Sequence, residues 1–510
     1  MATRIQNAKR NIVTSVVNKL IIMLSNFIMR TVLIRYLGEV YLGLDSLFVS
    51  ILQILSLSEL GMSSAMVYVM YKPLAENDTP TICALLNLYR KVYRYIALAM
   101  TVLGLAVTPF LPLIIKKDLP DDVNLYALFF INLGNTVLSY LMFAYRSLLL
   151  TADQKYSTNN NVYSIFKIGA TVAQIVAIIL FQNYYFYVLV LPLSTVAKNI
   201  VLYIISNRMY PQYRCAGVVP KSEIDDIKKR VSGMFLHKVG SVFQNSLDSI
   251  VISAFLGLTE LAKYNSYYYV INAITGIMVL ISNSVTASVG NSIVTETKEK
   301  NYKDFKKLQL LYMWISSWIT VCMVGCLQPF IKLWVGQKMM FGDSIMLIVC
   351  IYFFTLQFSR IVLLYHQAAG LWWHDKYRPV VAAVVNLTIN ILLVKFIGVS
   401  GVMLSTIFCI VFIECGWGSR TLFKYYFTEE KQSNYIFRLM FYVALTTVSG
   451  AVCYFICGKI PLEGIPALVV RGAVSSIIAN VVFAAGSSFM PEFKESIAFA
   501  LRLAGIKKKK

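Results

Sequence analysis

The first apolar segment, NIVTSVVNKLIIMLSNFIMR at residues 11–30, carries polar and cationic side chains at regular intervals. Ser15, Lys19, Asn26 and Arg30 are separated by four, seven and four residues, so they share one face of a helix. Ammonium and guanidinium groups bind phosphate oxygens, and the amide and hydroxyl groups can hydrogen-bond to phosphate or sugar. A cation is costly inside a bilayer. The pattern therefore predicts an anion site that faces a wet cavity, with snorkelling of the long side chains as the alternative.

A second segment, HKVGSVFQNSLDSIVISAFLG at residues 237–257, has the same design. Its polar positions on one helix face are Lys238, Ser241, Asn245 and Asp248. Aligning Leu37-Gly38 with Leu256-Gly257 gives an offset of 219 residues, which matches Lys19 to Lys238 and Asn26 to Asn245. Two lysines at matching depth predict a shared site for an anionic ligand, to which the Ser and Asn side chains add hydrogen bonds to phosphate or sugar.

The elements that must position these residues are membrane-spanning helices. The 510 residues are 58% hydrophobic and only 14% charged, with a mean hydropathy of +0.65, which is typical of an all-α polytopic membrane protein. Apolar runs predict fourteen spans, near 11–36, 41–70, 93–115, 124–150, 161–181, 186–206, 232–257, 264–293, 308–335, 343–366, 378–397, 399–423, 438–458 and 465–490.

The cations lie mostly in the loops of one side. This asymmetry predicts that the N- and C-termini are both cytoplasmic. The net charge of +22 is therefore a feature of membrane topology, and we expect no nucleic-acid partner.

The repeat predicts two parallel six-helix lobes. Six spans separate the copies, so a pseudo-two-fold axis would run along the membrane normal, with a central cavity between the lobes. The predicted domains are an N-lobe at 1–217, a cytoplasmic linker at 218–231, a C-lobe at 232–431, two additional spanning helices at 432–490 and a basic amphipathic cytoplasmic tail at 491–510. The tail is expected to lie on anionic lipid headgroups or to be solvated.

Intramembrane carboxylates are the candidates for ion coupling. Asp45 and Asp248 would carry a coupling Na⁺ or H⁺ or would neutralise nearby cations, and Glu59 would couple an ion or pack between helices. Arg30 would snorkel outward or pair with Asp45. Isolated cations that line the lumen or pack against partners are Lys167, Lys198 and Arg360.

Motifs of enzyme chemistry are missing from the sequence. It has no P-loop, no nucleophile elbow and no His/Cys set with metal-ligand spacing. We therefore expect no enzyme activity, no cofactor and no bound metal.

Several stretches, in this order, resemble the polysaccharide-repeat flippases of the multidrug/oligosaccharidyl-lipid/polysaccharide (MOP) exporter superfamily. They are IRYLGEVYLGLDSLF, LSLSELGMSSA, DSIVISAFLGLTELAKYNSYYYVIN, SVTASVGNSI and PFIKLWVG. The resemblance implies a V-shaped pair of six-helix bundles working by alternating access in the bacterial inner membrane. It implies export of an undecaprenyl-diphosphate-linked oligosaccharide for capsule, O-antigen, lipopolysaccharide or exopolysaccharide. Lys19, Arg30 and Lys238 would then bind the diphosphate, and Asp45 would couple the ion.

Other functions remain open at this stage. A lipid II flippase is disfavoured because the second span lacks Arg, and an ion-coupled drug or metabolite antiporter is disfavoured because the lumen looks cationic. A non-transporting scaffold is a third class. Expected partners are the lipid-linked substrate, membrane lipids, a polysaccharide polymerase and other assembly proteins.

Overall fold

The computed structural model describes residues 4–56, 62–115, 118–153 and 155–503. In these ranges every regular element is a helix, as expected for a bilayer, where a helix satisfies its own backbone hydrogen bonds. The chain divides into two compact units, Met1–Ala262 and Lys263–Lys510.

The described part of the first unit contains ten complete α-helices. They are α1 (Arg4–Tyr36), α2 (Glu39–Leu55), α3 (Met62–Glu76), α4 (Thr79–Val107), α5 (Leu111–Ile114), α6 (Leu125–Leu141), α7 (Ala144–Ala152), α8 (Tyr156–Phe181), α9 (Tyr184–Met209) and α10 (Lys221–Leu256).

The next helix begins in the first unit and continues into the second, and the rest belong to the second. They are α11 (Leu258–Thr295), α12 (Lys298–Val335), α13 (Asp343–Leu356), α14 (Arg360–Ala368), α15 (Arg378–Ile397), α16 (Val399–Phe408), α17 (Gly418–Tyr425), α18 (Gln432–Gly458), α19 (Gly464–Ser487) and α20 (Phe493–Leu503). A π-helical segment, Cys409–Trp417, joins α16 to α17.

The chain is a multi-pass membrane protein. Among the described residues, eleven helices are long and apolar enough to cross a bilayer, and the pair α6–α7, bent by 51°, makes a twelfth span if counted as one. The two other predicted spans are not among these candidates. The range 41–70 is divided between α2 and α3, and 232–257 is the C-terminal part of the continuous helix α10. The count of fourteen stays a prediction.

A glycine joins the two helices at the end of each repeat copy. Gly38 follows α1 with φ of 111°, and Gly257 follows α10 with φ of 103°, a conformation that favours glycine because it has no Cβ. The Gly38 N–H donates to the Leu33 carbonyl at 3.1 Å, and the Gly257 N–H donates to the Ile252 carbonyl at 3.2 Å. The acceptors are also 219 residues apart, so the aligned segments share one helix-ending geometry. The symmetry of whole lobes stays a prediction.

The predicted linker, residues 218–231, is mostly helical. Pro220 precedes α10, and the helix continues from Lys221 to Leu256. The apolar end of α10 packs against α2, α3 and α5, so the seventh predicted span belongs by contact to the first unit. The predicted lobes, which are defined by the order of spans, stay a prediction.

The start of the basic tail forms α20, which packs on α12. The Phe493 ring stacks on the Trp314 ring at 5.8 Å between centroids, and the Lys307 ammonium lies 2.7 Å from the Glu495 carboxylate. This ammonium holds the pKa of Glu495 below its ordinary value. The described part of the tail thus lies against protein, and residues 504–510 lie outside the described residues.

Candidate functional site

Helix α1 buries a face next to the predicted polar stripe. The buried positions are Asn18, Ser25, Met29 and Leu33. This side of α1 packs on α8, where the Asn18 amide donates to Asn161 Oδ1 at 3.2 Å. The predicted stripe is more accessible: Lys19 is exposed, while Asn26 and Arg30 are half-buried. The stripe from Lys19 to Arg30 is thus less buried than the neighbouring face that carries Asn18.

Several predicted site residues lie outside the described part of the structure. The whole of Glu59 is outside it, as are the side chains of Ser15, Lys238, Ser241 and Asn245. The opposition of Lys19 and Lys238 across a cavity therefore stays a prediction. Asp248, by contrast, is described and is buried on α10, with 3% of its surface exposed.

Arg30, Asp45 and Lys167 form a charge cluster within the first unit. It is called the outer charge cluster because the predicted topology puts Arg30 and Asp45 near the outer ends of α1 and α2. The Asp45 carboxylate on α2 interacts electrostatically with Arg30 on α1 and with Lys167 on α8. The Tyr187 hydroxyl on α9 donates to Asp45 Oδ1 at 3.3 Å. Arg30 is therefore electrostatically coupled to Asp45, and the choice between pairing with Asp45 and snorkelling outward stays a prediction.

Aromatic packing fixes the tyrosine that contacts the cluster. Tyr187 and Tyr184 are buried, and their rings stack at 5.4 Å between centroids. The Gln174 amide donates to the Tyr187 carbonyl at 3.2 Å. Asn183 caps this end of α9 by accepting the Tyr185 N–H at 2.8 Å. The hydroxyl that contacts Asp45 is therefore held at a rigid helix start.

The outer charge cluster contains two cations and one carboxylate. Such a set can exchange one anionic partner for another, because Lys and Arg bind carboxylate and phosphate oxygens in the same way. Sequence reasoning missed the role of Lys167. The signal that could have found it is a polar stripe on α8, where Asn160, Ser164, Lys167, Thr171 and Gln174 follow steps of four, three, four and three residues. The sequence does not show that this face of α8 meets Asp45.

A polar cavity of about 700 Å³ lies elsewhere in the first unit. Its walls come from α3, α4, α6, α7, α8 and α9, and twelve of its sixteen described lining residues carry a hydroxyl, amide or amine group. It was not predicted from the sequence, because each helix contributes only a few of these residues and periodicity does not show which helices meet.

A break in the fourth span shapes this cavity. Phe143 lies between α6 and α7 with φ of 60°, a conformation that is unfavourable for a residue with a Cβ. Its ring contacts the Tyr203 ring at 4.2 Å between centroids. The resulting bend of 51° brings Ser147 and Thr151 of α7 to the cavity wall.

Possible metal ligands do not cluster in the described residues: no three or more His, Cys, Asp or Glu side chains are grouped to hold an ion.

One comparison with known proteins identifies the family of this chain. A family model described as "Polysaccharide biosynthesis protein" matches residues 8–287, more than half of the chain. The comparison with curated protein sequences gave no significant match. The matched range includes the outer charge cluster and the polar cavity.

Solved structures with the same fold are transporters. The inward closed form of the lipid II flippase MurJ aligns with a TM-score of 0.65 and 14% identity over 93% of this chain and 98% of that one. An inward-facing MATE multidrug resistance transporter of the MOP superfamily gives 0.60 and 13% over 78% and 94%. The Vibrio cholerae MATE transporter VcmN gives 0.53 and 14% over 84% and 98%. At these identities the likeness shows the fold.

Proposed function

This chain belongs to the polysaccharide biosynthesis protein family, and from that premise we propose that it is a flippase for an undecaprenyl-diphosphate-linked oligosaccharide. The substrate is carried from the cytoplasmic to the outer leaflet of the bacterial inner membrane by alternating access, for assembly of a cell-surface polysaccharide such as capsule or O-antigen. The family match over residues 8–287 is the observation that carries the proposal. The MOP fold and the outer charge cluster support it.

The proposed role of the outer charge cluster is to bind the diphosphate. Before substrate arrives, the Asp45 carboxylate is the anion that interacts electrostatically with Arg30 and Lys167. A diphosphate offers more oxygen acceptors and more negative charge than one carboxylate, so it replaces Asp45 as their partner. Lys19 and Lys238, with the Asn and Ser side chains of their stripes, are further proposed contacts to diphosphate or sugar.

Asp45 is also the proposed coupling residue. A proton or Na⁺ on its carboxylate cancels the negative charge that holds the two cations, and so changes their availability to the diphosphate. By linkage, substrate binding changes the affinity of Asp45 for the ion by the same factor. Asp248 and Glu59 are the other proposed coupling carboxylates. The proposed topology keeps both termini cytoplasmic, where a polymerase and other assembly proteins are proposed partners.

The test is translocation in proteoliposomes that contain the purified full chain. Undecaprenyl-diphosphate oligosaccharide is placed in one leaflet, and its arrival in the other is measured with an impermeant enzyme that cleaves only accessible diphosphate. We expect Arg30→Gln to slow transport at least tenfold. Arg35→Gln, the same change at an exposed position of α1, should leave it unchanged. An imposed Na⁺ or proton gradient should accelerate the wild type but not Asp45→Asn.

The rival functions give different outcomes in the same vesicles. Preferential transport of lipid II would identify a lipid II flippase. Uptake of a cationic drug against an ion gradient would identify an antiporter. Absence of any transport by folded wild-type protein would contradict the proposal and favour a scaffold.

A further inference from the structure

We propose that the polar cavity of the first unit is a glycan-binding site, which takes the sugars of the substrate separately from its diphosphate. The inference rests on the proposed function, because it assigns a binding site to part of the same substrate. It concerns different residues from the outer charge cluster and can fail independently.

The lining of the cavity matches the chemistry of sugar hydroxyls. Its hydroxyl and amide side chains can donate and accept hydrogen bonds, as every sugar hydroxyl does. None of the described lining residues is acidic, which disfavours a cationic ligand. The volume of about 700 Å³ lies within the usual range for small-molecule sites. A lipid tail would leave these polar groups unsatisfied, at a cost for each one.

Aromatic rings supply the apolar surface that the C–H face of a pyranose needs. Tyr93 on α4 and Tyr140 on α6 both line the cavity, and their rings stack at 6.0 Å between centroids. The Tyr93 hydroxyl hydrogen-bonds with the Ser63 hydroxyl at 3.2 Å, which fixes the ring plane. Lys198 lies over the Tyr163 ring at 5.6 Å, so an ammonium donor stands beside a third aromatic face. Rings and donors in this arrangement are typical of sites for amphipathic ligands.

Hydrogen bonds between helices hold the walls in place before a ligand arrives. Asn199 on α9 is buried, and its amide donates to the Ser139 carbonyl on α6 at 3.4 Å. One turn earlier on α9, the Thr195 hydroxyl donates to Asn135 Oδ1 at 2.7 Å. A preformed wall lowers the entropy lost when a flexible oligosaccharide binds.

The position of the cavity along its helices suits sugars that arrive from the cytoplasm. Tyr71 lies near the C-terminal end of α3, Thr151 near the C-terminal end of α7 and Asn159 near the N-terminal end of α8. The charge asymmetry of the loops predicts that each of these ends is cytoplasmic. The proposed site is therefore at the side where the proposed substrate carries its glycan before transport.

The experiment measures direct binding to the full-length protein in detergent by saturation-transfer NMR and calorimetry. The probe is the water-soluble oligosaccharide released by mild acid from the host's lipid-linked repeat unit. Inorganic pyrophosphate and glycerol phosphate are the comparison ligands. The test variant is Tyr93→Leu. Its control is Tyr95→Leu, the same change on the same helix at a residue that is 70% exposed rather than 4% exposed.

We expect the wild type and Tyr95→Leu to bind the glycan equally. Tyr93→Leu should bind it at least tenfold more weakly, which corresponds to about 1.4 kcal/mol. Lys198→Met is the second variant and should weaken glycan binding while retaining the wild-type melting temperature, so that the conclusion does not depend on a buried tyrosine. Pyrophosphate binding should be unchanged in both and should fall in Arg30→Gln.

Three results would overturn the glycan site. The first is no binding of the glycan by the wild type, and the second is equal glycan affinity in the wild type, Tyr93→Leu and Lys198→Met. The third is displacement of the glycan by glycerol phosphate, which would identify a lipid-headgroup site. Loss of the proposed function is a separate result. If wild type binds the glycan through Tyr93 yet does not transport the lipid-linked substrate, the flippase proposal fails and the glycan site stands.

Discussion

Gly43 allows a close backbone contact between α2, the helix that carries Asp45, and the start of α11. A Cβ built at Gly43 would lie 2.1 Å from the carbonyl oxygen of Leu258 and 2.8 Å from its carbonyl carbon. The first distance is 1.3 Å shorter than the 3.4 Å at which ordinary van der Waals contact begins. Because the obstacle is backbone, no rotamer change can relieve it, and α2 itself has to shift.

The change Gly43→Ala therefore has two opposing effects. Overpacking against a rigid neighbour costs up to about 3 kcal/mol, whereas alanine favours a helix over glycine by about 1 kcal/mol. We expect a net loss of about 2 kcal/mol in the free energy of unfolding. The displaced α2 should also change the spacing of Asp45 from Arg30 and Lys167, so transport should fall as well.

The assay is a thermal melt of purified protein in detergent, followed by intrinsic fluorescence. Gly134→Ala on α6 and Gly169→Ala on α8 are matched controls, because a Cβ at either position would meet nothing within 4 Å. Both controls should have Tm values equal to or above wild type, and Gly43→Ala should melt lower. A Gly43→Ala protein as stable as these controls would refute the reasoning, since it would mean that α2 does not approach Leu258 so closely.

Two further predictions concern the second unit. Arg378 donates to Asp375 Oδ2 at 2.8 Å and also pairs with Glu414, so Arg378→Met should lower the free energy of unfolding by about 3–5 kcal/mol and lower Tm. Arg420→Met, at an exposed site, should leave Tm unchanged, and equal Tm values for the two variants would contradict the prediction. The Lys307 contact holds the pKa of Glu495 below its ordinary value of 4.5. The stabilisation of α20 by this contact is therefore complete above pH 4.5 and is lost as the pH falls through the lowered pKa. Hydrogen exchange of residues 493–503, corrected for the intrinsic effect of pH, should become faster at about pH 3. The increase should be smaller in Glu495→Gln, and protection that does not change with pH in the wild type would count against the contact.

The spanning helices were predictable because a bilayer imposes a length and an apolar composition on each of them. The helix end at Gly38 was also predictable, through the repeat with Gly257. The break at Phe143 was not, because phenylalanine has no preference for the left-handed conformation and only the surrounding packing holds it there. The helical start of α10 was missed because a charged segment reads as a loop when apolar runs alone are followed.

The two polar sites differ in how far the sequence revealed them. Arg30 and Asp45 were visible as rare charges in apolar runs, and their pairing was one of two predicted alternatives. The cavity was not predicted: Ser63, Tyr93 and Lys198 come from three helices. The polar stripe of α6, at Asn132, Asn135, Thr136 and Ser139, does not show which helices it faces. Periodicity detects a site on one helix face, but not a site assembled from the ends of several helices.

Helix α8 connects the two proposed sites and limits what can occupy both. Asn160 lines the cavity, and Lys167 of the outer charge cluster follows seven residues later, about 10 Å along the helix axis. If the cations hold the diphosphate and the cavity holds the sugars, a headgroup has to cover about two turns of α8 to make both contacts. A headgroup with a short glycan cannot reach both sites at once and loses one set of contacts. The two sites together would therefore favour a completed repeat unit over its shorter precursors, by length as well as by chemistry.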